Sequence, residues 1–288
     1  MSWLGARAER PLDAVQREDI VAWRAAEAVR VRAKTANHRL KAVRQLFKAA
    51  VAEGFAPSNP VEGLKPVRSG AKDRRVRRPF TREELAGVFA ICDGDWRILV
   101  MAGLQTGQRL GDIVRMQWGE LDLERGLWEP VTGKTGAVLR IPLRGDLVEG
   151  LRARRAEVPV GGDVFPELVA RLERCQGRVG FLSTAFSDLL FRAGLRRYSP
   201  HDRVAKNGRK AALVAGGSDR REQQDLCFHS LRHTARTWLE ESGQPKSVID
   251  ALMGHEGATG RIYTSVSTEA MRLAAEVLPR MEDLLRGK

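Results

Sequence analysis

Apolar residues recur at intervals of three and four along most of this chain, a spacing typical of amphipathic helices. Residues 1–67 contain two such segments. In the second, TANHRLKAVRQLFKAAVAEGF, apolar positions form one stripe and basic residues occupy the opposite side. We expect Thr35 to be the N-cap of this helix and Gly54 to end it. The pattern therefore predicts a small helical domain that carries one strongly basic helix.

A basic stretch, RSGAKDRRVRRP, separates this domain from the rest of the chain. Residues 68–79 include six Lys or Arg, one acidic residue and no apolar periodicity. They predict a linker, which is either a plain tether or a segment that follows a phosphate backbone. A second domain, residues 80–288, begins where Thr81 and Glu84 have the spacing of a helix-capping box.

The second domain alternates between helical and strand-like patterns. TGQ predicts a turn after a helix that ends near Leu104, and Arg109 then stands at the start of another helix. Short strands are predicted at 121–123, 127–131 and 138–142, with a hairpin turn at 132–136, helices over 143–195, a long loop at 198–224 and an amphipathic stretch at 268–286 that Pro279 kinks. The predicted fold class is mainly α with a small antiparallel β-sheet.

The net charge of +13 is concentrated near the N-terminus. The first 79 residues carry 18 Lys and Arg against 8 Asp and Glu, and the remainder carries 31 against 28. This asymmetry favours a nucleic-acid partner. No apolar run is long enough to span a membrane, and the first residues lack the apolar core of a signal peptide. We therefore expect a cytoplasmic protein that is nucleoid-associated when bound to DNA, with its three scattered cysteines reduced.

Several residues have the chemistry needed to cut a phosphodiester without a metal. Arginine neutralises the charge that develops on the non-bridging oxygens, because it is always charged and binds two oxygens at once. A nucleophile and an acid for the leaving 5′ oxygen are also required. The chain offers a candidate set that supplies all of these: Arg109, Lys134, His229, Arg232, His255 and Tyr263.

Four segments, TGQRLGDIVRMQW, TGKTGAVLRIPL, FHSLRHTARTWL and MGHEGATGRIY, resemble the successive active-site motifs of the tyrosine recombinases, the phage-integrase family, in that family's order. TANHRLKAVRQLFKAAVAEG followed by NP resembles its core-binding domain, so the resemblance covers roughly residues 12–285. It implies a two-domain clamp on double-stranded DNA, formed by a helical core-binding domain and a catalytic domain. It also implies a tetramer on paired sites, with no metal, ATP or other cofactor.

The resemblance implies a role for each candidate. Arg109 and Arg232 would clamp the scissile phosphate, with Asp112 orienting Arg109. His229 and His255 would contact the phosphate and assist proton transfer. Lys134 would protonate the leaving 5′ oxygen, and Tyr263 would attack to give a 3′-phosphotyrosyl intermediate. For DNA binding we expect basic residues of the second helix and the linker, namely Arg39, Lys41, Arg44, Lys48, Arg74, Arg75, Arg77 and Arg78.

Two alternatives remain open at this point. His255 and Tyr263 are eight residues apart, whereas the family usually has nine, so a DNA-binding member with weakened chemistry is one alternative. A metal-dependent nuclease is the other, because His229 and His233 have the i, i+4 spacing of metal ligands. The absence of a tight acidic cluster disfavours magnesium. We otherwise interpret His233 as structural, and the 268–286 stretch docks either on its own domain or on a neighbouring copy.

Overall fold

The structure, a computed structural model, describes residues 11–70, 77–131, 138–158, 161–196, 225–254 and 266–287. The chain divides into two compact units, Met1–Val76 and Arg77–Lys288. Within the described ranges, helices predominate and the strands form one small sheet, which confirms the predicted fold class. No helix in these ranges is long and apolar enough to cross a membrane.

The first unit is built on two helices, α1 (Arg17–Arg30) and α2 (Ala33–Ala52), preceded by one 3-10 turn at Leu12–Ala14. The two helices share an apolar core, which includes Ile20, Trp23, Leu40, Val43 and Phe47. The chain that follows α2 closes this core with Ala56, Val61 and Leu64. Because two helices bury little surface by themselves, this returning segment supplies a necessary third side.

Helix α2 begins earlier than the sequence predicts. Arg32, in an extended conformation, is the N-cap, and Thr35 lies inside the helix, so the prediction of Thr35 as N-cap is wrong. The physical reason is packing, because Ala33 and Ala36 are both buried in the first turns. The predicted end is confirmed, since Gly54 follows the helix with a φ of +76° that favours glycine.

The second unit contains the remaining elements. Its helices are α3 (Arg82–Ile91), α4 (Gly94–Gln105), α5 (Leu110–Val114), α6 (Gly145–Glu157), α7 (Pro166–Arg174), α8 (Gly180–Arg192), α9 (Phe228–Glu241), α10 (Lys246–Leu252), α11 (Thr268–Ala275) and α12 (Met281–Leu285). The predicted capping box of α3 is confirmed. The Thr81 side chain accepts a hydrogen bond from the Glu84 backbone N–H, and the Glu84 carboxylate accepts one from the Thr81 backbone N–H. Helix α4 is central, since every residue from Ile98 to Gln105 is buried.

Helix α9 packs directly across α4, and a glycine permits the close approach. A Cβ atom placed on Gly103 would lie 2.7 Å from Cζ of Phe228, far inside van der Waals contact. Phe228 also meets Phe186 of α8 edge to face, with ring centroids 5.2 Å apart. The beginning of α9 is thereby fixed against the carboxyl half of α4.

The strands form a three-stranded antiparallel sheet, in the order β1 (Leu121–Asp122), β2 (Leu127–Trp128) and β3 (Ile141–Pro142). An isolated antiparallel bridge between Val131 and Val138 continues the β2–β3 pairing. The predicted hairpin pairing is confirmed on these residues, while its turn lies outside the described ranges.

The C-terminal stretch packs on its own unit. Its buried residues are Met271, Ala274, Ala275, Leu278, Met281 and Leu284, and α12 packs on α3. This placement argues against docking of the same face on a neighbouring copy. The expected kink at Pro279 is a complete break between α11 and α12, and Leu285 at the end of α12 is exposed.

A buried polar cluster holds this C-terminal stretch in place. Arg144, which is 6% exposed, donates from Nη1 to the Ala275 carbonyl at 2.9 Å and pairs with Glu276 at 3.1 Å. Asp146 Oδ2 accepts from the backbone N–H of Met281 at 3.1 Å and from Gln105 Nε2 at 2.8 Å. One carboxylate oxygen thus joins the start of α12 to the end of α4.

Replacing Arg144 with Ala should destabilise the second unit by about 3–5 kcal/mol, because Arg144 and Asp146 form a buried pair, with Nε and Oδ1 3.9 Å apart, and the substitution leaves the Asp146 carboxylate without its partner charge. Urea unfolding monitored by circular dichroism measures this change. The matched control is Arg286→Ala, whose exposed i, i+4 pair with Glu282 should contribute about 0.5 kcal/mol or less. Equal effects of the two substitutions would contradict the importance of the buried cluster.

Candidate active site

The loop that carries Arg109 connects two helices. Thr106 is the C-cap of α4, Gly107 turns the chain with a φ of +63°, and Arg109 is the N-cap of α5. The predicted turn and the predicted helix start are both confirmed. The Arg109 side chain is 65% exposed, and its Nη1 lies 3.7 Å from Oδ2 of Asp112. This weak, solvent-exposed pair leaves the guanidinium available to an anion.

Helix α9 brings a second arginine to the same loop. Arg232 is only 5% exposed, and its Nη1 donates to the Gly107 carbonyl at 2.6 Å, although the two residues are 125 positions apart in sequence. A hydrogen bond from a charged donor at this distance is among the strongest in proteins. The structure thus unites two of the segments that the sequence singles out.

His229 lies in the first turn of α9, on its exposed side. Partial burial lowers the pKa of its imidazole, and the positive charges of Arg77, Arg232, His233 and Arg109 lower it further. These neighbours disfavour a second proton on the ring because like charges repel. These basic side chains are concentrated at the N-terminal end of a long helix, α9, an arrangement that attracts phosphate.

Arg77 reaches this group because the chain just before α3 packs beside α9. The backbone N–H of Arg78 donates to the Asp225 carbonyl at 3.4 Å, and that of Phe80 donates to Oγ1 of Thr234 at 2.8 Å. The Arg78 guanidinium makes two hydrogen bonds to Glu84, at 2.7 and 2.6 Å. Arg78, at the end of the predicted linker, is therefore engaged by residues of the second unit.

A further side chain, which sequence reasoning did not select, supports the arginine loop. Gln108 is 5% exposed, and its Nε2 donates to the Leu252 carbonyl at the end of α10. Gly107 faces Met253, the residue after Leu252, since a Cβ atom placed on Gly107 would lie 3.1 Å from Cγ of Met253. The TGQR segment marked Gln108 only as part of a turn, because its partner is 144 residues away.

Five of the residues predicted to act in catalysis or DNA binding lie outside the described residues: Lys134, His255, Tyr263, Arg74 and Arg75.

The histidine pair on α9 invites a comparison with metal sites. His233 is exposed on α9, and its structural interpretation stays a prediction. It follows His229 by one helical turn, but within the described ranges no group of three or more His, Cys, Asp or Glu side chains could hold a metal ion.

The basic residues of α2 divide into two classes. Lys41 and Lys48 are exposed, whereas Arg39 and Arg44 are half-buried and bind groups within their own unit. Arg39 pairs with Glu27, and Arg44 donates to the Leu64 carbonyl at 2.9 Å. Burial alone would raise the pKa of the Glu27 carboxyl, but hydrogen bonds from Arg30 and Arg39 outweigh it and lower the pKa.

Comparison with known proteins places this geometry in context. The family model described as "Phage integrase family" matches residues 80–270. Over 269 residues the chain is 24% identical to a protein named "Tyrosine recombinase XerC-like" from Caldanaerobacter subterraneus subsp. tengcongensis, covering 85% of this chain and 65% of that protein. Over 257 residues it is 27% identical to "Tyrosine recombinase XerD" from Mycobacterium leprae, covering 83% of this chain and 72% of that protein.

A solved structure shares the fold. It is described as a lambda integrase tetramer bound to a Holliday junction, and it aligns with 88% of this chain and 69% of its own chain at a TM-score of 0.57 and 19% sequence identity. At this level of identity the similarity concerns the fold.

Replacing Arg77 with Gln should raise the pKa of His229 toward its ordinary value of about 6.5, because a nearby positive charge is removed. An NMR pH titration of the His229 Cε1–H resonance measures the change. Lys246→Gln removes the same charge from an exposed lysine paired with Asp250 and serves as the control. An unchanged His229 pKa in Arg77→Gln would mean that Arg77 does not act on this ring.

Proposed function

The chain belongs to the phage integrase family, and on that premise we propose that it cuts and rejoins DNA at specific sites through a bond between Tyr263 and a 3′ phosphate. Membership confirms the family resemblance noted in the sequence and the enzyme class that it implies, the tyrosine-type recombinases. The residues and the steps assigned below are our proposal for this chain.

One observation carries the proposal furthest, the hydrogen bond from Arg232 to the loop of Arg109. It joins two arginines from separate segments of the sequence, and His229 lies within the electrostatic reach of both. In our proposal the scissile phosphate binds among these three side chains. The arginines stabilise the negative charge that increases on its non-bridging oxygens during attack, where each well-placed donor contributes roughly 3–4 kcal/mol.

The proposed reaction exchanges one phosphoester for another. The Tyr263 oxygen attacks phosphorus and passes its proton to one of the two histidines, His229 or His255. The bond from phosphorus to the 5′ oxygen breaks, and that oxygen takes a proton from Lys134. His229 and His255 contact the phosphate and assist the proton transfers. Attack by the 5′ hydroxyl of another strand then reverses these steps and releases the tyrosine. Because the number of phosphoester bonds is unchanged, the exchange needs no energy from ATP.

Lowered basicity suits His229 to this role. With its pKa below the ordinary value, its imidazole is predominantly neutral near pH 7 in the free protein. A neutral ring retains one acceptor nitrogen, so it can take a proton or donate a hydrogen bond. A bound phosphate would bring negative charge and shift the same ring toward its protonated form. His229 is therefore sensitive to whether DNA occupies the site.

We assign the first unit to DNA binding, as a core-binding domain. Helix α2 has one exposed stripe at helical spacing, which consists of Lys34, His38, Lys41, Gln45 and Lys48, and we call it the α2 stripe. Its lysines are free to meet phosphates, whereas Arg39 and Arg44 stabilise the unit itself. The partner is double-stranded DNA, and we propose a tetramer on paired sites because the similar lambda integrase structure is a tetramer on a Holliday junction.

A covalent adduct tests the chemistry. A duplex site, selected by the protein from a randomised pool, is nicked so that the released 5′ fragment diffuses away. We expect an adduct that survives denaturing electrophoresis, forms fully in EDTA, and disappears in Tyr263→Phe. The control is Tyr198→Phe, which removes the other of the two tyrosines and should leave the adduct intact. An adduct in Tyr263→Phe would contradict the assignment, and site-specific binding without any adduct would indicate a DNA-binding member without chemistry.

The α2 stripe is tested by the salt dependence of DNA binding. Each lost phosphate contact should lower the slope of log K against log salt by about 0.9, so Lys41→Gln with Lys48→Gln should lower it by about 1.8. Fluorescence anisotropy at several salt concentrations measures the slope. Two neutral substitutions off the stripe, Lys65→Gln and Lys246→Gln, are the matched control, and the same loss of slope in both pairs would contradict a specific contact surface.

A further inference from the structure

The amide of Gln108 makes two hydrogen bonds from one nitrogen. Its Nε2 donates to the Leu252 carbonyl at 3.1 Å and to the Thr106 carbonyl at 3.3 Å. The backbone N–H of Gln108 also donates to Oγ1 of Thr106, at 3.2 Å. An amide nitrogen carries two hydrogens, so its donor capacity matches these two acceptors.

Both acceptors belong to helix ends. Thr106 is the C-cap of α4, and Leu252 is the last residue of α10. Carbonyls in the last turn of a helix have no partner within the helix and need one from elsewhere. When such carbonyls are buried, an unmet hydrogen bond is costly, so the Gln108 side chain fixes the two helix ends relative to each other.

We propose that Gln108 is a positioning residue for Arg109, an inference that rests on the proposed function. The arginine side chain is largely exposed and pairs only weakly with Asp112, so its location depends on the backbone that carries it. That backbone is held one residue earlier by Gln108 and two residues earlier by the bond from Arg232 to Gly107. Gln108 holds the loop to α10, and Arg232 holds it to α9.

Neither leucine nor glutamate reproduces these bonds. Leucine fills a similar volume but leaves both carbonyls without a donor. Glutamate has no donor when ionised and would place negative charge against two carbonyl oxygens. Gly107, with its positive φ, already packs on Met253, so the loop has little room to shift without separating from the end of α10. The expected result of Gln108→Leu is a folded protein whose arginine loop moves more freely.

The test compares Gln108→Leu with Gln105→Leu. Gln105 is also a buried glutamine at the end of α4, but its Nε2 donates to Asp146 rather than across the arginine loop. The two variants therefore lose the same chemical group from similar surroundings. Hydrogen exchange by mass spectrometry on peptides spanning residues 104–110 should become at least about tenfold faster in Gln108→Leu than in Gln105→Leu.

Adduct formation provides the functional measurement. On the nicked substrate, Gln108→Leu should form the covalent adduct about 10- to 100-fold more slowly, the scale expected when a reacting group is displaced by about 1 Å. Its DNA affinity should stay within about twofold of wild type, since the substitution removes no phosphate contact. In an Arg109→Lys background the same substitution should have much less effect, because the two residues act through one side chain.

The outcomes separate this inference from the proposed function. Faster exchange, slower adduct formation and a diminished effect in Arg109→Lys support the positioning role. Unchanged exchange, or equal slowing in both backgrounds, overturns it while Tyr263-dependent adducts leave the proposed function intact. A wild-type protein that forms no adduct overturns the proposed function and the positioning role together, whatever the exchange measurement gives.

Discussion

The buried guanidinium of Arg232 is the constraint on which the described part of the site depends. A charged group with 5% exposure loses most of its hydration, and hydrogen bonds must offset that loss. Its bond to the Gly107 carbonyl supplies part of the compensation. Separating the arginine loop from α9 would remove this hydrogen bond from a largely desolvated charge. Arg109 follows two residues later and takes its position from the same bond.

This bond requires α9 to lie close to α4, and the packing of the two helices provides that distance. Gly103 lacks the side chain that would collide with Phe228, and Phe228 is held in turn by Phe186. A larger residue at position 103 would push the start of α9 outward and carry Arg232 away from Gly107. The charge cluster is thus set by an apolar contact about one helical turn before the loop.

Local patterns in the sequence are sufficient to predict most helices, but they do not predict the contacts between them. The apolar period of three and four predicts most helices, and the Thr81–Glu84 spacing predicts one helix start correctly. Thr35 fails as an N-cap because burial of Ala33 extends α2 upstream, and burial depends on the partner helix. Arg39, which is predicted from the sequence to bind DNA, pairs with Glu27 of α1, and the pattern of α2 alone does not reveal this contact.

The contacts around the end of α4 that escaped prediction join residues 41 to 144 positions apart, separations over which periodicity carries no information. The end of α4 illustrates why they matter. Gln105 there binds Asp146, whose same oxygen accepts from Met281 at the start of α12. Three residues later Gln108 binds the end of α10, and Gly107 between them accepts from α9. Elements distant in sequence therefore converge on one helix end, so the position of Arg109 is a property of the assembled unit rather than of its own loop.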